Sequence, residues 1–166
     1  MEQLNDLKKG DWLVHHYHGV GQLKGKELKR IGGEESVYFR LEMENGTIYI
    51  PESNLNDDWF RPVVSQDTMV ELKEVLARPS KKMDRSFITR KARIKTAMTE
   101  NSFMEMARIV RDLYGRRRRR KTLSSTEDSL LRKLERRLLA EWTVADDLEE
   151  GEAEAKLSAL LVETNN

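Results

Sequence analysis

The stretch that decides the fold is Ser36-Val37-Tyr38-Phe39-Arg40-Leu41-Glu42-Met43-Glu44-Asn45-Gly46-Thr47-Ile48-Tyr49-Ile50-Pro51. Val37, Phe39, Leu41 and Met43 alternate with Ser36, Tyr38, Arg40 and Glu42. A period of two puts one apolar row on a core face and one polar row outside, as in a half-buried strand. Ile48 and Ile50 continue the apolar face beyond Glu44-Asn45-Gly46, where Asn-Gly is expected to supply the positive φ angles of a tight hairpin. Gly32-Gly33 makes a second turn after a run from Val20 to Ile31. Short strands near Trp12–Val14 and Phe60–Val63 bring the expected total to five, an SH3- or Tudor-like antiparallel β-barrel.

After Pro62 the apolar period lengthens to about 3.6. Val70, Leu72, Val75 and Leu76 mark a helix that Pro79 stops. Asp84 is placed to cap a second helix through Met98, with Phe87, Ile94 and Met98 in one stripe among Arg90, Lys91, Arg93 and Lys95. Ser102 with Glu105, and Ser124 with Glu127, are capping boxes for two more helices, with Leu123 placed as a staple before the second. Gly115 is expected to end the earlier of the two. The class is therefore α+β in two domains: a β-barrel over residues 1–64 and a compact all-α bundle over 65–142. An acidic extension over 143–166 is left as one further amphipathic helix or none, with fraying at its end.

The 166-residue chain carries a net charge of +1 that conceals three blocks. Residues 1–79 sum to −4, residues 80–140 to +12 and residues 141–166 to −7. The basic block suits a polyanion, because each Lys or Arg set on a phosphate releases condensed counterions; a solvated helical surface is the plain alternative. There is no cysteine, which excludes disulfides and thiolate ligands. Met1–Asp6 lacks the apolar run of a signal peptide, and no segment approaches the roughly 18 apolar residues of a membrane span. A cytoplasmic protein is expected. His15, His16 and His18 cluster near a turn, but strand neighbours project to opposite faces, so no metal site is expected. His18-Gly19-Val20-Gly21 lacks the helix and lysine of a phosphate loop. No carboxylate pair stands out as acid and base, so no catalytic residue and no cofactor is assigned.

Lys9-Gly10-Asp11, His18-Gly19-Val20-Gly21, the Asn45-Gly46 turn before Ile48-Tyr49-Ile50-Pro51, Phe60-Arg61-Pro62-Val63-Val64-Ser65, Arg108-Ile109-Val110-Arg111-Asp112-Leu113-Tyr114 and Leu123-Ser124 occur in that order. This ordered set, over residues 7 to about 142, resembles the CarD/CdnL family of bacterial transcription regulators, whose barrel is similar to that of transcription-repair coupling factors. The resemblance implies a monomeric, non-enzymatic regulator, associated with the nucleoid through RNA polymerase. Its barrel would dock on the lobe of the polymerase β subunit by strand pairing, and its helices would touch promoter DNA at the upstream edge of the bubble and stabilise the open complex. Contacts with DNA would be to phosphates and the minor groove, without sequence specificity.

The docking strand is then the Lys26–Ile31 stretch, with Lys26, Lys29 and Ile31 as contacts; the family often has arginine at the position of Lys29. Tyr49, where several members have a basic residue, is a further contact or an ordinary outward-facing tyrosine. Aligned back from Arg111-Asp112-Leu113, Phe87 falls where the family has a tryptophan wedge, and Thr89 and Arg90 fall on its arginine pair. Phe87 is then a wedge or a core residue on the face of Ile94 and Met98, and Arg90, Lys91 and Arg93 would contact phosphates. Arg116–Lys121 has no counterpart in the family pattern; it is a phosphate contact, or a solvated loop that pairs with the acidic tail. Two other readings stay open: a protein-docking module whose basic helices serve solubility, and an RNA-binding barrel, which the net acidity of the barrel half disfavours.

Overall fold

The computed structural model describes residues 6–56 and 58–163, with the side chains of residues 162 and 163 left out. The first five residues, read for a targeting segment, and the last three, expected to fray, lie outside the described residues. The chain divides into two compact units, Met1–Val63 and Val64–Asn166.

The first unit is an antiparallel sheet of β1 (Trp12–His15), β2 (Gly19–Ile31), β3 (Glu34–Met43), β4 (Gly46–Pro51) and β5 (Phe60–Pro62). Their order is β4-β3-β2-β1-β5. No pairing among the described residues closes β4 onto β5, so the expected barrel is an open sheet. Leu13, Leu23, Phe39, Leu41, Met43 and Phe60 nevertheless form one core cluster with Ile48 and Ile50 against it. Strands from both ends of the sheet share this core, which requires the sheet to curl around it. A bulge between Leu23 and Gly25 in β2 bends the long strand at its middle.

Gly32 and Gly33 take φ of +68° and +86° between the paired Ile31 and Glu34, a two-residue turn with both central residues in the left-handed region. The β3–β4 turn differs from expectation. Met43 pairs with Gly46 across Glu44-Asn45, and only Gly46 takes a positive φ.

The second unit contains α1 (Gln66–Ala77), α2 (Phe87–Thr99), α3 (Phe103–Arg120), α4 (Ser125–Ala145) and α5 (Glu152–Glu163). Ser102 Oγ accepts from Glu105 N and Ser124 Oγ from Glu127 N, the two expected caps. The second helix starts later than Asp84. Ser86 caps it by accepting from Thr89 N, while Asp84 Oδ1 accepts from Ser86 N at 2.8 Å and shapes the approach. On α1, Met69 rather than Val70 faces inward beside Leu72, Val75 and Leu76.

Trp142, Leu138, Leu134 and Leu131 of α4 pack with Phe103, Met106, Ile109, Val110 and Leu113 of α3 in one core. Ala153, Leu157 and Leu161 of α5 belong to the same core, so the acidic segment is an integral helix of the bundle. Their i, i+4, i+8 spacing places them on one face. Buried Arg111 and Asp112 tie three segments together. Arg111 Nη1 donates to the Val75 carbonyl at the end of α1 (3.2 Å) and its Nε to Asp112 Oδ1 (2.9 Å). That same oxygen accepts from Lys81 N at 2.8 Å.

Gly115 does not end α3, which runs on to Arg120 and stops at Lys121 with φ +68°. Gly115 is buried against the loop before α2, where an added Cβ would lie 2.0 Å from Ser80 Oγ and 2.3 Å from Ser80 Cβ. Gly115→Ala is therefore expected to cost about 1–3 kcal/mol from overpacking, against a gain of about 1 kcal/mol from helix propensity. Thermal unfolding should show a net loss for Gly115→Ala and recovery in the Gly115→Ala/Ser80→Gly pair.

Candidate docking edge and nucleic-acid surface

In the first unit β1 pairs with β2 only from Gly19 to Gln22, and the ladder is extended by Gly10 and Asp11 to Leu23. From Gly25 to Ile31, β2 pairs with β3 alone, and no described strand lies on its other side. This leaves a seven-residue edge whose backbone groups can pair with a further strand. The register follows from β3, since Lys26 faces Phe39, Leu28 faces Val37 and Lys29 faces Ser36.

Lys26 lies on the core side of the sheet, 2.9 Å from Glu52 Oε1 and 5.1 Å from the Phe39 ring centroid. Lys29 and Tyr49 meet on the opposite face, with the ammonium 3.3 Å from the ring centroid. Tyr49 therefore faces outward and carries a cation on its ring. Arg40 pairs with Glu27 at 3.3 Å. Ile31 is exposed at the tip, and Leu28, which sequence reasoning passed over, is 68% exposed. A leucine left open in a charged edge strand was the available signal for it.

The three histidines make no ligand set. His15 Nδ1 accepts from the backbone N–H groups of Tyr17 and His18, and its ring packs on Phe60 with centroids 4.9 Å apart. Among the described residues no three His, Cys, Asp or Glu side chains are gathered to hold a metal.

In the second unit Phe87 opens α2 and is 37% exposed, outside the core that takes up Ile94 and Met98. Ile88 beside it is 79% exposed. The stripe Phe87–Ile94–Met98 enters the core only along its last two turns, and Phe87 meets the Arg90 guanidinium 5.8 Å from its ring centroid, so the helix start presents two neighbouring apolar side chains to solvent.

Residues 7–64 match the CarD-like/TRCF RID domain, and residues 71–158 match the CarD C-terminal domain. The chain belongs to the CarD family. Its members are transcription-related regulators that interact with RNA polymerase. The match to the CarD C-terminal domain reaches 158 rather than stopping near 142, in keeping with the place of α5 in the core.

Two of the residues expected to contact phosphates are engaged within the helical domain itself. Arg90 is 5% exposed; its Nε lies 2.5 Å from Glu127 Oε1, and its Nη1 donates to the carbonyls of Asp84 and Arg85 at 2.9 Å. A guanidinium so enclosed holds α2, the loop before it and α4 together, and does not face a phosphate. Arg93 is half-buried between Glu105 at 2.9 Å and Asp112 at 3.4 Å. Lys91, partly exposed, remains from the predicted set together with Phe87. The run Arg116–Lys121, expected as a loop, is the helical end of α3 and its cap. No described helix is long and apolar enough to cross a membrane.

Proposed function

We propose that this CarD-family regulator docks on the lobe of the polymerase β subunit through the open edge of β2, and sets Phe87 and Ile88 against promoter DNA at the upstream end of the bubble. It acts there as a monomer and by binding alone, without catalysis or cofactor, prolonging the life of the open complex. It works in the cytoplasm, on the nucleoid with the polymerase. The observation that carries this reading is the unpaired β2 edge from Gly25 to Ile31, because strand addition needs such an edge and main-chain hydrogen bonds give it affinity. Lys26, Lys29, Ile31 and Tyr49 supply the side-chain selectivity around it.

On the DNA side, apolar side chains wedge between base steps in minor-groove proteins without indole chemistry, so the exposed Phe87–Ile88 pair is suited to the role. Lys91 adds a sequence-indifferent phosphate contact. A second reading, docking on protein without DNA, draws on the ion pairs that occupy Arg90 and Arg93.

The docking edge is tested with the full chain against the isolated β lobe. Lys29→Glu and Ile31→Asp are each expected to weaken binding about tenfold or more, at an unchanged melting temperature, since both side chains are on the surface and surface changes usually stay within about 0.5 kcal/mol. Equal affinity of both variants and the parent would refute the β2 edge.

A further inference from the structure

The end of α3 carries Arg116 to Arg120 followed by Lys121. Cations suit a helix C-terminus, where they complement the macrodipole, and Arg117 to Arg120 lie in that last turn. Two carboxylates on α4 serve four guanidiniums here. Glu127 takes Arg90 at 2.5 Å and Arg116 at 3.6 Å, and Asp128 takes Arg132 at 2.7 Å and Arg117 at 3.7 Å. Arg118 donates to the Leu161 carbonyl in the last turn of α5. Burial, then the neighbouring Arg90, pushes the Arg116 guanidinium down from its ordinary value, and burial, then Arg119 and Arg117, does the same to Arg118. Arg119 has a neutral partner, Ser80 Oγ at 3.1 Å, and no ion pair among the described residues forms on Arg120 or Lys121.

Among the described side chains, no acid of the tail forms an ion pair with the block. The described ion pairs of residues 116–121 go to α4. Arg118 meets α5 at Leu161, and the acids of its first turn, Glu152 and Glu154, lie about 10–14 Å further along the helix at 1.5 Å per residue. The contact between Ser80 and Arg119 also brings the exposed Lys81, Lys82 and Arg85 of the following loop to this end of the bundle. Glu127, shared by Arg90 and Arg116, joins the end of α3 to the first turn of α2, which carries Phe87 and Ile88.

We propose that Arg119, Arg120 and Lys121 form a second DNA contact, a phosphate clamp for the duplex backbone beside the Phe87–Ile88 pair. The proposal rests on the reading that the helical unit meets DNA, and adds to it the residues that supply the electrostatic grip in place of Arg90 and Arg93. The three side chains are exposed and clear of the core.

The test is binding of the full chain to a short duplex of arbitrary sequence, followed by fluorescence anisotropy across a salt series. Each phosphate contact contributes about −0.9 to the slope of log K against log salt. Arg119→Gln/Arg120→Gln/Lys121→Gln should lower the magnitude of that slope by about 2 to 3 and weaken binding about 10- to 100-fold near 0.1 M salt. Arg119→Lys/Arg120→Lys should keep most of the slope, and both variants should melt with the parent. A parent that binds while the triple variant keeps its slope and affinity overturns the clamp and leaves the wedge reading standing. A parent without measurable DNA affinity overturns both. Polyglutamate is the comparison polyanion: equal affinity for it and for the duplex, lost equally in the triple variant, would assign the surface to an acidic protein and overturn the DNA assignment.

Discussion

Glu127→Ala is expected to destabilise the helical unit by about 3–5 kcal/mol, because it leaves the Arg90 guanidinium buried without its carboxylate. The loss extends to Arg116, which shares the same oxygen. Denaturant unfolding of the full chain, followed by the tryptophan signal, measures it. Replacing both partners by apolar residues of similar volume, Arg90→Met with Glu127→Leu, should recover much of the loss, since the pair's own net worth is small once its desolvation is counted. If Glu127→Ala melted with the parent, the enclosed geometry of Arg90 would be wrong and a phosphate role for it would return. Arg90→Ala should likewise act through stability and through the order of the segment that carries Phe87 and Ile88, rather than through a lost phosphate contact.

Phe87→Ala is expected to do the opposite. A phenylalanine in the core costs about 3–5 kcal/mol when cut to alanine, whereas Phe87 sits at the exposed start of α2 and should cost about 1 kcal/mol or less. Stacking of one base on an aromatic ring is worth about 1–3 kcal/mol, so the open promoter complex should decay about 5- to 150-fold faster with the variant than with the parent. Affinity for the β lobe should not change. Adding Ile88→Ala should deepen the loss. Open-complex half-life and thermal unfolding on the same preparation decide the matter. A folded, polymerase-bound Phe87→Ala protein that prolongs the complex as well as the parent would remove the wedge.

What the sequence revealed was whatever is coded locally. The alternation from Phe39 to Met43, the Gly32-Gly33 turn and the serine halves of the two caps depend on neighbours within a few residues and occur as read, whereas the Glu105 and Glu127 carboxylates of the expected capping boxes are engaged by arginines. Gly115 misled because a glycine after an apolar stripe is a common helix stop, yet five arginines after it are good helix formers and its missing side chain makes room for Ser80, thirty-five positions away. Arg90 misled for the same reason. Charge type says nothing about a carboxylate on another helix, and Glu127 lies 37 residues on. The stripe Ala153, Leu157, Leu161 was legible in the acidic segment, but Gly151 and the density of acids around it hid that face. Ile88 could have been noticed as an apolar residue off the buried stripe.

The enclosed Arg90 bears on how quickly and how tightly the helical unit engages its target. Its bonds to the Asp84 and Arg85 carbonyls and to Glu127 fix the two residues before the cap of α2 and the first turn itself. Phe87 and Ile88 are thereby mounted on a backbone ordered during folding, and ordering a mobile segment at the moment of contact would cost about 0.5–1.5 kcal/mol for each side chain immobilised. Ionic strength reaches this mount poorly, since buried pairs are screened far less than exposed charges. Raising salt should therefore loosen the arginine end of α3 from a duplex while leaving the presentation of the two apolar side chains unaltered.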